Sequence, residues 1–252
     1  RELTKNYVGI DPVYEPIPVR PVVHYMMGGI DTNIDCSTNL PGFFAAGECA
    51  CVSINGANRL GSNSLTEILV FGARAGNAAA DFANEHSKID IEDLEKQRDD
   101  EYKRITLNFL NKDGGSERIS TLRKEMHQVM EECVGIFRSE SGLKEASNKI
   151  EELKDRFSSI LIEDKSRNFN TELTSALELE NMIDVAEAII FSALSRRESR
   201  GSHQRTDFKE RNDENFLRHS LAYRTDAESR IEYKEVAITK WQPGERVYGK
   251  EE

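Results

Sequence analysis

Between Ile54 and Gly76 the chain reads INGANRLGSNSLTEILVFGARAG. One cation, Arg59, stands in a bed of Gly, Ala, Asn and Ser, and an apolar helical run begins at once. A guanidinium grips a carboxylate in a bidentate fork. A helix start adds unpaired N–H groups and the positive end of a dipole, which together suit an anion. Gly56, Gly61 and Ser62 let the backbone come close to a ligand. The combination points to an anionic ligand near Arg59 and the N–H groups of Ser64 and Leu65. An ordinary strand-to-helix loop with a surface arginine and a good cap accounts for the same letters.

Three further sets of residues carry possible chemistry. His24 precedes YMMGG, where an extended run turns; it is suited to donate to a carboxylate or polarise a carbonyl, or to sit in a core with its ring satisfied by backbone. Glu48 follows a glycine where a strand should end, a place from which acids accept hydrogen bonds from ribose or ribityl hydroxyls; capping the next loop is the alternative. Ser195 to Asp207 gathers Arg196, Arg197, Arg200 and Arg205 with His203. In an acidic chain this reads as an ion-pair clasp between domains, ahead of a second anion site. A metal is not indicated at Cys36, Cys49 and Cys51, because the C-x-C gap is too short for a usual zinc site and no histidine pairs nearby.

The elements that must position these groups divide at about residue 88. In the first part, Pro18 and Pro21 keep IPVRPVVHY extended, Gly28-Gly29 turns, and Gly42–Glu48 (GFFAAGE) reads as a short apolar strand. The next helix opens with Ser64-Leu65-Thr66-Glu67, a capping-box pattern, and continues through Ala73, Ala75 and Ala78 to Ala80, small enough for close packing. In the second part, Ile119, Leu122, Met126, Val129, Met130 and Cys133 recur at helical spacing, and Leu143 to Phe157 repeats the pattern. Asn170 should cap a further helix with Leu173, Leu177, Val185, Ala188 and Ile189 inward. Three or four antiparallel helices form the expected bundle. LRHSLAYR and IEYKEVAIT alternate like strands.

Bulk properties bound the function. The 252 residues carry a formal net charge of −11 with no basic stripe to offset it, which disfavours nucleic acid or an anionic membrane surface as a partner. No hydrophobic run approaches the ~20 residues that cross a bilayer, so membrane association would go through another subunit. Four cysteines, unevenly placed, suit reduced thiols better than a disulfide framework. The chain opens RELTKNY without an initiator Met or targeting pattern, so the true N-terminus is expected upstream.

HYMMGGIDTN, GFFAAGECACVSINGANRLGSNSLTEILVFGARAG and ESRGSHQRTDFKERNDENFLRHSLAYR, with LNKDGG between and ERVYG near the end, resemble the succinate dehydrogenase/fumarate reductase flavoprotein subunit, closer to the bacterial fumarate reductase branch. The resemblance runs in order along essentially the whole chain. It implies the end of an FAD-binding α/β domain (21–87), preceded by the exit from a capping domain (1–20) and followed by a C-terminal helical domain with an irregular, strand-bearing tail (88–252). It implies FAD as cofactor and fumarate or succinate as substrate, with hydride passing between flavin N5 and a carbon of the dicarboxylate. His24 and Arg59 match the family's substrate-carboxylate ligands. Glu48 matches the acid bonded to the ribityl chain, and Ser64 and Leu65 match the helix start under the flavin's pyrimidine edge. His24, Tyr25 and Arg59 also line the flavin. An iron–sulfur subunit as electron partner, membrane anchors beyond it, and a peripheral position on the cytoplasmic side of the inner membrane follow from the same resemblance.

Two departures stand out. The family's G-x-G-x-x-G, its flavin-linking histidine and the cap arginine that delivers the proton are expected upstream of Arg1. Asn55 stands where the family often has His, keeping hydrogen-bonding capacity without charge. Two alternatives are carried: an L-aspartate oxidase-type flavoenzyme, which shares a similar loop, and an interaction fragment inactive by itself.

Overall fold

The computed structural model describes residues 1–86, 91–225 and 229–244 and combines helices with short strands. The expected boundary at 87/88 and the ERVYG segment lie outside the described residues. Helix α1 (Glu2–Val8) ends at Gly9, whose left-handed φ of 75° closes its last turn; the helix buries nothing. The proline-spaced run that follows has no regular element up to β1 (Ile30–Asp31), as its fixed φ angles require. β1 pairs in parallel with β2 (Ala50–Cys51), Ile30 opposite Ala50. Only glycine fits at 29, because a Cβ there would lie 2.5 Å from the Cys49 carbonyl oxygen.

The strand expected at Gly42–Glu48 does not form. Gly42 and Gly47 take left-handed φ angles of 82° and 81° and turn the chain at both ends, leaving Phe44 alone bridged to Ser37. The capping box does not form either. Helix α2 (Asn63–Glu85) starts one residue before Ser64, with Ser62 at the N-cap making no side-chain bond. Glu67 instead turns inward, 2% exposed, one turn from buried Phe71. The alanines divide between half-buried (Ala75, Ala78, Ala79) and exposed (Ala73, Ala80).

The second part has the main core. Helix α3 (Ile91–Ile105) runs into a π-turn, Thr106–Leu110, that delivers Phe109 to the core. Helix α4 (Ile119–Val134) buries the expected stripe of Ile119, Leu122, Met126 and Val129, flanked by Met130 and Cys133. After β3 (Phe137–Arg138), helix α5 (Glu140–Phe157) buries Leu143, Ala146, Ile150 and Leu153. α5 runs antiparallel to α4, so Arg156 at its end reaches Glu125 near the start of α4 at 2.7 Å. Helix α6 (Thr171–Ser195) packs on both, capped by Asn170, whose side chain accepts from the Leu173 N–H at 2.7 Å. Its inward face differs from expectation: Ala176, Leu179, Ile183, Ala186, Ile190 and Ala193 are buried, Leu173, Leu177 and Ile189 flank them, and Val185 is 47% exposed. α6 is apolar around much of its circumference, so periodicity alone does not select the face that wins.

The tail returns to the first part. β4 (Gln204–Arg205) pairs in parallel with β3, and a short helix α7 (Asp213–Phe216) leads to a hairpin of β5 (Arg218–Tyr223) and β6 (Arg230–Glu235). The alternation read in both tail segments is thus a two-stranded antiparallel pair. Among the described residues no helix is long and apolar enough to cross a membrane.

Candidate active site

The loop between β2 and α2 is curled by three left-handed positions, Ser53, Gly56 and Ser62, with φ of 72°, 56° and 67°. At its end the Asn63 N–H bonds the Leu60 carbonyl (3.1 Å) and the Leu65 N–H bonds that of Ser62 (3.0 Å). Of the two N–H groups expected to face a ligand, that of Leu65 is therefore engaged by the tight first turn, while the Ser64 N–H has no partner among the described residues. Leu65 presents its side chain instead: it is 61% exposed, beside Leu69 at 74%.

Arg59 is half-buried and makes no ion pair among the described residues. Its guanidinium lies over the Tyr25 ring at 4.4 Å, a cation–π contact, and one Nη donates a long bond of 3.4 Å to the Leu60 carbonyl. Its Nε is buried without a partner. Asn55 donates from Nδ2 to Glu67 at 2.8 Å, and its Oδ1 is likewise buried and unpartnered. Tyr25 donates its hydroxyl to the same Glu67 carboxylate at 3.3 Å. Burial first, then the charge of Glu67, push the Tyr25 hydroxyl pKa above its usual value, so the phenol keeps its proton and remains a donor.

The strap carrying Tyr25 is tied down a second time, by the Met26 N–H to Glu48 at 3.1 Å. Tyr25, Glu48 and Arg59, chosen far apart in sequence, are thus brought into one locality, with Ser64 at the adjoining helix mouth. His24 lies on the same strap, exposed and without a hydrogen-bond partner among the described residues. The core-histidine alternative for it therefore falls away.

Contacts from the second part hold the loop from behind. The Ala57 carbonyl accepts from both the N–H (2.9 Å) and the hydroxyl (2.8 Å) of Ser202. Ser53 meets His219 of β5 at 2.7 Å, and Lys234 of β6 meets Asp31 of β1 at 2.8 Å. Of the arginines expected to clasp the two parts, Arg196, Arg200 and Arg205 pair locally instead, and Arg197 is exposed. Arg196 and Arg200 flank fully buried Glu198, and fully buried Arg205 forks onto Asp207. They build the turn; Ser202 and His219 make the reach. Neither these two nor Glu67 stood out in the sequence as site residues. Glu67 had one available sign: an acid in phase with Phe71 on the inward face of an apolar helix.

Residues 1–65 match the family model of an FAD binding domain, and residues 123–248 match that of the fumarate reductase flavoprotein C-terminus. The chain is 54% identical to the fumarate reductase flavoprotein subunit of Mycobacterium tuberculosis, over 99% of this chain and 44% of the relative. It is 39% identical to the succinate dehydrogenase flavoprotein subunit of Rickettsia conorii, over 94% of this chain and 41% of the relative. A solved chain of E. coli quinol fumarate reductase superposes with a TM-score of 0.93 at 45% identity, over 99% of this chain and 43% of that one. The chain thus spans less than half the length of the curated relatives it matches. These relatives do not favour the aspartate oxidase alternative. By its sequence matches and its fold, this chain belongs to the fumarate reductase/succinate dehydrogenase flavoprotein family, whose cofactor is FAD.

Proposed function

We propose that this chain carries the dicarboxylate-gripping part of a flavoprotein subunit that interconverts fumarate and succinate. The observation that carries the reading is Arg59: a guanidinium with a buried, unpartnered Nε, free of any carboxylate among the described residues in a chain of net charge −11, at the mouth of α2. Such a group is held ready for an anion from outside the chain. Its fork would bind one carboxylate of the substrate, and exposed His24 would donate to the other.

The residues fit FAD. The Asn55 Oδ1 lacks a partner, the Ser64 N–H is open at the positive end of α2, and Leu65 and Leu69 offer an apolar flank for a ring. Glu48 keeps one carboxylate oxygen for a ribityl hydroxyl while the other holds Met26, and Tyr25 would border the ring. FAD, when bound, supplies the hydride acceptor or donor. The chain's own part is to fix the dicarboxylate and draw charge toward one carboxylate, which favours hydride addition to the double bond.

On this reading residues 21–87 complete an FAD-binding unit, 1–20 lead out of a cap, and 88–252 form a helical unit. Electrons would pass to or from an iron–sulfur subunit, with the assembly peripheral on the cytoplasmic face of the inner membrane. Membership of a family with solved quinol-coupled relatives supports the partner assignment.

Arg59→Lys in the full-length enzyme tests the reading. A point charge cannot replace the fork, so kcat/KM for fumarate should fall by about 100-fold or more. A near-normal value would remove the assignment.

A further inference from the structure

We propose that Glu67 is a positioning residue for anion binding at Arg59, acting through Tyr25 and Asn55; the proposal rests on the reading of Arg59 given above. Glu67 is 2% exposed, yet its two side-chain donors are neutral: Asn55 Nδ2 at 2.8 Å and the Tyr25 hydroxyl at 3.3 Å. A buried carboxylate is costly to keep, and no cation among the described residues pairs with it. What it does is join the strap at residue 25 to the loop at residue 55, using one side chain of α2. The guanidinium of Arg59 rests on the ring so held, 4.4 Å from its centroid. Among the described residues the only hydrogen bond from that guanidinium is long, 3.4 Å to the Leu60 carbonyl. The ring is therefore the main constraint on where the fork points.

The arrangement also leaves Arg59 available. Tyr25 and Asn55 both donate to one oxygen of Glu67, Oε2, and among the described residues no ion pair joins Glu67 to the guanidinium, so the cation is oriented without being neutralised. An ion pair in the same place would orient it as well, but would compete with the incoming carboxylate.

The test uses the full-length flavoprotein with its FAD and compares Glu67→Leu, Tyr25→Phe, the double variant and Arg59→Lys. Malonate serves as the dicarboxylate probe, with binding read from the flavin absorbance, alongside kcat and KM for fumarate, FAD content and thermal unfolding. Glu67→Leu, which removes the shared acceptor, and Tyr25→Phe should each retain FAD and weaken malonate binding by about tenfold. KM should rise more than kcat falls, and the double variant should be no worse than the poorer single one, since both cut the same link. A merely structural role would instead lower FAD content and thermal stability and leave the malonate affinity of the folded enzyme unchanged. If Glu67→Leu does not fold, Tyr25→Phe, which removes only the hydroxyl, decides. Unchanged malonate affinity in the single variants, or additive losses in the double, overturns the proposal when Arg59→Lys still abolishes binding. Retained binding in Arg59→Lys overturns the underlying reading instead.

Discussion

At the scale of single residues, the chain uses its cations in two ways. Most arginines of the second part are consumed by carboxylates; Arg156 alone engages Glu117, Glu125 and Glu152. Arg59 is held by an aromatic face instead, which leaves its charge without an ion pair among the described residues. His203 shows a third use of positive charge, as a restraint on a neighbour. Arg138 donates to its Nδ1 at 3.1 Å, which leaves Nε2–H to donate to the Arg196 carbonyl at 3.0 Å. Burial, reinforced by the nearby charges of Arg138, Arg196 and Arg205, lowers its pKa to about 4. Unfolded, the ring titrates near 6.5. The unfolded chain therefore takes up this proton first as pH falls, so the contribution is complete above pH ~6.5 and is lost progressively down to about 4. Denaturation midpoints of the wild type and His203→Gln should converge across that window, with a wild-type loss on the order of 3 kcal/mol at most. Parallel pH profiles for the two would contradict it. Arg59 was legible from its neighbours in sequence, because a lone cation among small residues is a local signal. Glu67 was not. Its spacing from Ser64 satisfied a local rule, and only the fold shows that Tyr25 and Asn55 compete for the carboxylate and win.

At the scale of elements, the contact that matters is between the 199–205 turn and the β2–α2 loop. Gly201 takes a left-handed φ of 57°, and a Cβ on it would lie 2.5 Å from the Ala57 carbonyl oxygen, the same atom Ser202 bonds. Gly114 likewise takes a positive φ, 85°, but has nothing within 4 Å of its would-be Cβ. Replacing each with alanine separates backbone strain from collision. Gly114→Ala should cost about 1 kcal/mol, and Gly201→Ala about 2 kcal/mol or more. In full-length enzyme only Gly201→Ala should also weaken malonate binding, because Ala57 lies two residues from Arg59. Equal effects of the two changes on both measurements would show that the turn does not set the loop. The helices of the second part were legible as stripes and a cap because their partners lie along the same periodic faces. The strand at Gly42–Glu48 failed for a backbone reason, two glycines free to take positive φ, and the face of α6 failed because nearly every side of it is apolar.

At the scale of the whole molecule, burial is uneven. Among the described residues before residue 87, the buried apolar side chains are Cys36, Ala45, Ala50 and Phe71. The bundle, by contrast, buries Leu122, Leu143, Ile150, Leu153, Leu179 and Ile190 to 2% exposure or less, each worth roughly 1.5–3 kcal/mol against remaining in water. Leu65, Ile68 and Leu69 on α2 stay open to solvent. The part that carries the proposed ligand-facing residues thus relies on side-chain hydrogen bonds and on the three reaches from the tail, while the part without them has its own core. Opening free energy follows buried apolar packing, so amides of α2 should exchange with deuterium well before those of α4, α5 and α6 in the 252-residue chain. The same looseness argues against tight cofactor capture by this stretch alone, since ordering the loop and α2 would draw on the binding free energy. Purified by itself it should show no stoichiometric flavin absorbance. Uniform protection across both parts, or one tightly bound flavin per chain, would mean that the first part is as firmly built as the bundle, and that its few buried side chains are not what limits it.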